Sequence, residues 1–193
     1  MNEFLLDFRQ YFLVAHIFAL ALGLGGAIMT DFMFMRFLKD NKVSPDEKET
    51  LDGLSMVIWT GFGLLVVTGL GLFIPNMQGL LRTPVFLAKL TSLAVILVNA
   101  CFLNFYIAPK LTTISFDNPA MNAPAINRAR KLSPVFGGIS MVSWLYTFFL
   151  GAMMSYLDYS YATLILVYVA LLACGIAGAM VVTKLKFKPK INP

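Results

Sequence analysis

Five long apolar segments constrain this chain more than any other feature of its sequence. They cover approximately residues 11–34, 56–74, 85–108, 135–154 and 162–182, and are called spans 1 to 5. A bilayer core about 30 Å thick is crossed by roughly 20 helical residues, and a helix satisfies its own backbone hydrogen bonds there. The sequence therefore predicts an all-α protein with five transmembrane helices, forming one integral membrane domain over residues 1–193.

Composition excludes the soluble alternatives. Hydrophobic residues make up 59% of the chain and charged residues only 13%, whereas soluble domains carry about 25% charged residues. An ordinary cytosolic enzyme, a disordered chain and a secreted disulfide scaffold are therefore excluded. The lipid bilayer is the first partner that this composition implies.

Local signals predict where several helices begin. Residues 44–47 read Ser-Pro-Asp-Glu, the pattern of a capping box with proline at the first helical position. Thr83-Pro84 and Ser133-Pro134 predict the starts of the helices that contain spans 3 and 4. Span 1 is expected to be a retained helix rather than a signal peptide, because Glu3 and Asp7 precede it.

The distribution of lysine and arginine predicts the orientation. Twelve of the 15 basic residues fall on one side of the spans: Arg36, Lys39, Lys42, Lys48, Lys110, Arg128, Arg130, Lys131, Lys184, Lys186, Lys188 and Lys190. Only Arg9 and Arg82 fall on the other side, and Lys89 lies within span 3. Because cytoplasmic loops carry the basic excess, we expect an external N-terminus and a cytoplasmic C-terminus in the cell (inner or cytoplasmic) membrane. The net charge of +5 is then topogenic, and no nucleic-acid partner is expected.

Small and polar residues at helical spacing mark the packing faces. Such stripes occur in span 1 (His16, Gly23, Ala27, Thr30), span 3 (Lys89, Ser92, Asn99) and span 4 (Ser143, Trp144, Thr147, Gly151). Span 2 is rich in glycine, and span 5 is poorest in polar groups. Small residues let helices approach closely in a membrane. We therefore expect spans 1 to 4 to form a four-helix core bundle, with span 5 at its edge.

Two ionisable residues lie inside the spans at matching depth in the outer leaflet. His16 is the only histidine, and Lys89 is the only basic residue within a span. Ionisable groups inside a membrane are costly and are functional candidates. The plainer interpretations are that Lys89 extends its ammonium group to the headgroups and that His16 is a hydrogen-bonded interfacial residue. Asp31, near the other end of span 1, is expected to anchor at the cytoplasmic interface.

The outer ends of neighbouring spans supply groups that could complete a cofactor site around His16 and Lys89. They are Thr68, Gly69 and Gly71 of span 2, and Met153 and Met154 at the end of span 4. A neutral imidazole is the commonest metal ligand, glycines suit a flat cofactor, and methionine is a soft ligand for haem iron or Cu(I). One histidine cannot supply bis-histidine ligation within a chain. His/Met, His/Lys, five-coordinate iron and a site shared across a homodimer remain open.

Two segments and the start of span 1 resemble known membrane families. Residues 83–111, TPVFLAKLTSLAVILVNACFLNFYIAPKL, are similar to the third core helix of the CopD-like family, with its lysine-leucine pair, asparagine and proline-x-leucine. Residues 62–73 resemble the threonine-glycine end of the preceding helix. His16 followed by Gly23, Gly25 and Gly26 is similar to the opening that CopD-like proteins share with HemJ-type protoporphyrinogen oxidases. In HemJ-type proteins the corresponding histidine and lysine serve a haem-bearing site, so the resemblance implies that role for His16 and Lys89.

Three functional hypotheses are compatible with these residues. The first is a redox or electron-transfer protein that holds haem b near His16. The second is CopD-like copper handling, with His16 and methionines as soft ligands. The third is a non-enzymatic scaffold or a subunit of a membrane complex, in which His16 and Lys89 serve packing and anchoring alone.

Overall fold

A computed structural model describes residues 2–37, 43–114 and 123–186, and the regular structure of these residues is helical throughout. The helices are α1 (Asn2–Asp7), α2 (Arg9–Phe37), α3 (Pro45–Phe73), α4 (Met77–Leu81), α5 (Pro84–Phe102), α6 (Pro124–Ala152) and α7 (Tyr161–Lys186). A 3-10 turn (Ile74–Asn76) joins α3 to α4. Beyond α5 the helix continues as a π-helical segment (Leu103–Ile107) and a 3-10 segment (Ala108–Thr113).

Five helical segments of the described chain are long and apolar enough to cross a membrane. They are Arg9–Phe37, Pro45–Leu81, Pro84–Thr113, Pro124–Ala152 and Tyr161–Leu185. The all-helical class and the number of apolar helices, both predicted from the sequence, are confirmed. Spans 1 to 5 correspond to α2, α3, α5, α6 and α7.

The predicted start of α3 is confirmed in detail. The Ser44 hydroxyl accepts a hydrogen bond from the backbone N–H of Glu47 (3.3 Å), and the Glu47 carboxylate accepts one from the N–H of Ser44 (2.9 Å). Two of the N–H groups that a helix start leaves without partners are thereby satisfied. Pro84 likewise occupies the first turn of α5, although the Thr83 hydroxyl donates to the carbonyl of Gly79 instead of capping α5.

The predicted helix start at Ser133-Pro134 is wrong. Helix α6 begins at Pro124 and runs through Pro134 without a break. Proline has no N–H to donate to the carbonyl four residues earlier, which here belongs to Arg130. The Ser133 hydroxyl donates to that carbonyl at 3.0 Å, so the helix tolerates the proline.

The segment between spans 3 and 4 is therefore helical from Pro124 onward. Residues 115–122 lie outside the described residues. The same is true of four basic residues used for the orientation: Lys39, Lys42, Lys188 and Lys190.

Helices α2 and α3 are antiparallel and touch through their backbones. A Cβ added at Gly61 would lie 2.6 Å from the backbone N of Gly23 and 3.0 Å from the carbonyl O of Ala19. A Cβ added at Gly23 itself would lie 2.4 Å from the ring of Trp144 in α6. Trp144 is only 1% exposed and belongs to a buried cluster with Ala19, Ala27, Leu65 and Ile96. The cluster thus takes residues from α2, α3, α5 and α6.

Helix α7 packs against α6 and α5. A Cβ at Gly138 of α6 would lie 2.9 Å from the carbonyl O of Gly175 in α7. The Tyr146 hydroxyl donates to the carbonyl of Leu164 (2.8 Å), which adds a polar contact between the same two helices. Most other side chains of α7 face outward.

The glycine contact between α2 and α3 leads to a test with a matched control. Gly61→Ala places a methyl group against the Gly23 backbone, which cannot rotate away, so we expect a loss of about 1–3 kcal/mol in the free energy of unfolding. Gly63→Ala, where no atom lies within 4 Å of the added Cβ, should leave the free energy of unfolding unchanged or slightly raised. Unfolding by sodium dodecyl sulfate, followed by circular dichroism, measures both. Equal stability of the two variants would contradict the close backbone contact.

Candidate functional site

The centre of the site is a hydrogen bond between α2 and α3. Nδ1 of His16 lies 2.9 Å from the hydroxyl oxygen of Thr68. Thr68 is buried, and its hydroxyl oxygen lies 2.6 Å from the carbonyl O of Leu64 one turn earlier. Of the span 2 residues predicted for the site, Thr68 is therefore the one that hydrogen-bonds the histidine.

This arrangement selects one tautomer of His16. A threonine hydroxyl has a single proton, and the short contact to Leu64 shows where that proton is donated. The Thr68 oxygen is then an acceptor for His16, so the imidazole carries its proton on Nδ1. Nε2 consequently keeps its lone pair, the form in which imidazole binds a metal.

The two glycines of the predicted site make room for aromatic rings of α2. A Cβ at Gly69 would lie 3.4 Å from Cε1 of His16, and a Cβ at Gly71 would lie 2.5 Å from Cδ1 of Phe12. Any larger residue at position 71 would displace the Phe12 ring. These glycines therefore seat α2 side chains against α3.

Lys89 of α5 reaches toward the end of α6. Its ammonium Nζ lies 3.4 Å from the position that a Cβ on Gly151 would occupy. The ammonium is also close enough to His16 for the two side chains to interact electrostatically. The carbonyl end of a helix is its negative end, so the last turn of α6 provides a favourable environment for this cation.

The two methionines of the predicted site are placed differently. Met153 caps the end of α6 through its backbone, and the residue is 39% exposed. Met154 packs against the apolar cluster shared by α5, α6 and α7. Within the described part of the chain, no group of three or more His, Cys, Asp or Glu side chains is placed to hold a metal ion.

From Lys89 toward the C-terminal end of α5, the polar stripe of this helix faces α6. The hydroxyls of Ser92 and Thr147 lie 2.7 Å apart in a buried contact. Further along, the side-chain amide of Asn99 donates to the carbonyl of Phe136 at 3.1 Å, and its carbonyl oxygen is buried without a partner among the described residues. These contacts confirm that the predicted stripe is a helix-packing face.

An open apolar pocket lies beside the His16–Thr68 pair. Its volume is about 260 Å³, and it is lined by Phe8, Tyr11, Phe12, Ala15 and Thr68. The aromatic residues of this wall were not among the predicted site residues. The signal was nevertheless present in the sequence, because Phe8, Phe12 and His16 recur every four residues and so share a helix face.

Comparisons of the chain with known proteins found nothing similar. No protein-family model, curated protein or solved structure matches it. The resemblance to CopD-like and HemJ-type proteins stays a prediction based on short motifs. The function is therefore inferred from the residues of the site.

The tautomer of His16 can be measured directly, because the chain has a single histidine. Nitrogen-15 NMR of histidine-labelled protein should show a protonated Nδ1 and an unprotonated Nε2. Thr68→Val removes the hydroxyl acceptor and should weaken the preference, whereas Thr68→Ser should retain it. A proton on Nε2 in the unaltered protein would contradict the assignment.

Proposed function

We propose that this chain is an integral membrane protein that binds haem b next to His16 and serves in electron transfer. The observation that carries the proposal is the hydrogen bond that holds His16 in the tautomer with a free Nε2. Metal-binding histidines almost always donate their other ring N–H to a fixed partner. A membrane histidine with such a partner is suited to be an axial ligand.

The surrounding residues fit such a group. His16 would supply the ligand nitrogen, and Thr68 would hold the imidazole plane. Lys89 would offer a positive charge to an anionic group of the cofactor, and the aromatic residues around Phe12 would offer it apolar surface. A bound haem supplies one-electron chemistry, whose potential depends on the axial ligands and the polarity around the iron.

The second axial position has several candidate ligands. Lys89 or a methionine would complete it within the chain, and a homodimer would bring a second His16. Five-coordinate iron needs neither. The number of haems per chain and the absorption spectrum distinguish these ligation states.

We further propose the orientation and bundle arrangement that the sequence predicts. The N-terminus lies outside, the C-terminus is cytoplasmic, and α2, α3, α5 and α6 form the core with α7 at the edge. The basic residues of the connecting segments support the orientation. The Trp144 cluster, which draws residues from those four helices, supports the bundle. His16 then lies in the outer leaflet.

The haem proposal is tested on protein purified in mild detergent from haem-replete cells. The unaltered protein should show an intense Soret band that disappears in His16→Ala. Thr68→Val should weaken haem binding by about 10- to 100-fold, the usual effect of losing a partner of a metal-binding histidine. Thr68→Ser and Gly25→Ala, whose added Cβ meets no atom within 4 Å, are the matched controls. A colourless preparation would contradict the proposal.

Metal analysis of the same samples separates the other two hypotheses. Bound copper without a Soret band would indicate copper handling by His16 and the methionines. A protein without cofactor, in which His16→Ala and Lys89→Met leave the cellular phenotype unchanged, would indicate a scaffold or a subunit of a membrane complex.

The orientation is tested with single cysteines in a chain whose free thiols, Cys101 and Cys174, are changed to alanine. In intact cells, a membrane-impermeant maleimide should label Arg82→Cys and Asp158→Cys. Glu49→Cys should react only after the membrane is permeabilised. All three native side chains are exposed, so accessibility does not bias the comparison. The reverse labelling pattern would overturn the orientation.

A further inference from the structure

A second cavity lies far from His16, toward the other end of α2. Its volume is about 280 Å³, and its walls come from α2, α6 and α7, including Asp31, Phe34, Pro134, Gly137, Met141 and Val182. Asp31 lies 15 residues after His16, which is about 22 Å along a helix axis. The two cavities are therefore separate sites, and a ligand could occupy the second one whether or not haem binds at His16.

Glycines on α6 create this cavity. Gly138 brings α6 into backbone contact with Gly175 of α7. At the preceding position, a Cβ on Gly137 would meet only one atom within 4 Å, Oδ1 of Asp31 at 3.8 Å. The absent side chain at Gly137 thus leaves open space in front of the Asp31 carboxylate.

The Asp31 carboxylate has no partner among the described residues. It makes no hydrogen bond and no salt bridge there, and its oxygens are not sealed off from the cavity. The two hydroxyl residues of the cavity cannot supply a proton, because Ser133 donates to the Arg130 carbonyl and Thr183 to the Ala179 carbonyl. The cavity residues include no lysine, arginine or histidine.

We propose that this cavity binds a lipophilic amine, an apolar molecule with one protonated nitrogen that pairs with Asp31. The apolar walls match the body of such a molecule, and the single carboxylate matches its charge. An unpaired ionisable group within a membrane helix is costly and indicates function. A hydrogen bond between an ammonium group and a carboxylate is among the strong ones.

The charged groups that line the cavity also favour a free amine over a lipid headgroup. The ammonium group of phosphatidylethanolamine is attached to a phosphate, which would need a basic partner. No basic side chain lines this cavity. The occupant is therefore a small amphiphile that carries positive charge alone.

The binding test uses the full chain in phosphatidylcholine nanodiscs with radiolabelled decylamine, and empty nanodiscs as background. We expect saturable binding that unlabelled decylamine displaces. Decan-1-ol, which has the same chain length and no charge, should displace it at least about tenfold less well. Equal displacement by the alcohol, or binding that never saturates, would overturn the proposal.

Three variants locate the binding. Asp31→Asn should weaken decylamine binding at least about tenfold and leave decan-1-ol binding unchanged. Gly137→Leu fills the cavity and should abolish the binding of both. Asp158→Asn removes an exposed carboxylate elsewhere and should change neither. The NMR signal of His16 verifies that each variant is folded.

Two further results would overturn the proposal. One is unchanged decylamine affinity in folded Asp31→Asn. The other is displacement of decylamine by phosphatidylethanolamine added to the nanodiscs, which would identify a lipid headgroup as the occupant.

Discussion

The backbone contact between Gly23 and Gly61 is the interaction on which the rest of this molecule depends. In hydrocarbon, apolar side chains gain little by leaving lipid for another helix, so close packing selects the neighbours. The two glycines set the register of the antiparallel pair α2–α3. His16 precedes Gly23 by seven residues and Thr68 follows Gly61 by seven, about two turns in each helix. The contact that joins the helices therefore also places the imidazole against its hydroxyl partner.

Helix α2 carries an imidazole near one end and a carboxylate toward the other. His16, near one end, has a fixed partner in Thr68 and a cation, Lys89, nearby. Asp31, toward the other end, faces an apolar cavity in which hydroxyl protons are already donated elsewhere. The first arrangement leaves a lone pair available, and the second leaves a carboxylate available. One helix thus carries the central residue of the proposed haem site and that of the proposed amine site.

Local signals predicted the helix ends only where nothing distant competes with them. The capping box at Ser44 is a contact between near neighbours, so its pattern was sufficient. Ser133-Pro134 carries a similar pattern but lies inside α6, because the serine hydroxyl bonds the carbonyl that the proline leaves free. Gly69 and Gly71 were expected to form a flat surface for a cofactor. Only the packed structure shows that the imidazole of His16 and the ring of Phe12 occupy the space beside them.

The sequence by itself determined the helical class, the number of apolar helices and the identity of the few ionisable residues within them. These follow from apolar length and composition, which act along the chain and need no knowledge of neighbours. The tertiary structure alone decided that His16 meets Thr68, 52 residues away, and that the space in front of Asp31 stays open. Several faces of these helices are equally apolar, and the steric fit of small residues selects among them. That fit depends on positions in space, which spacing along the sequence does not specify.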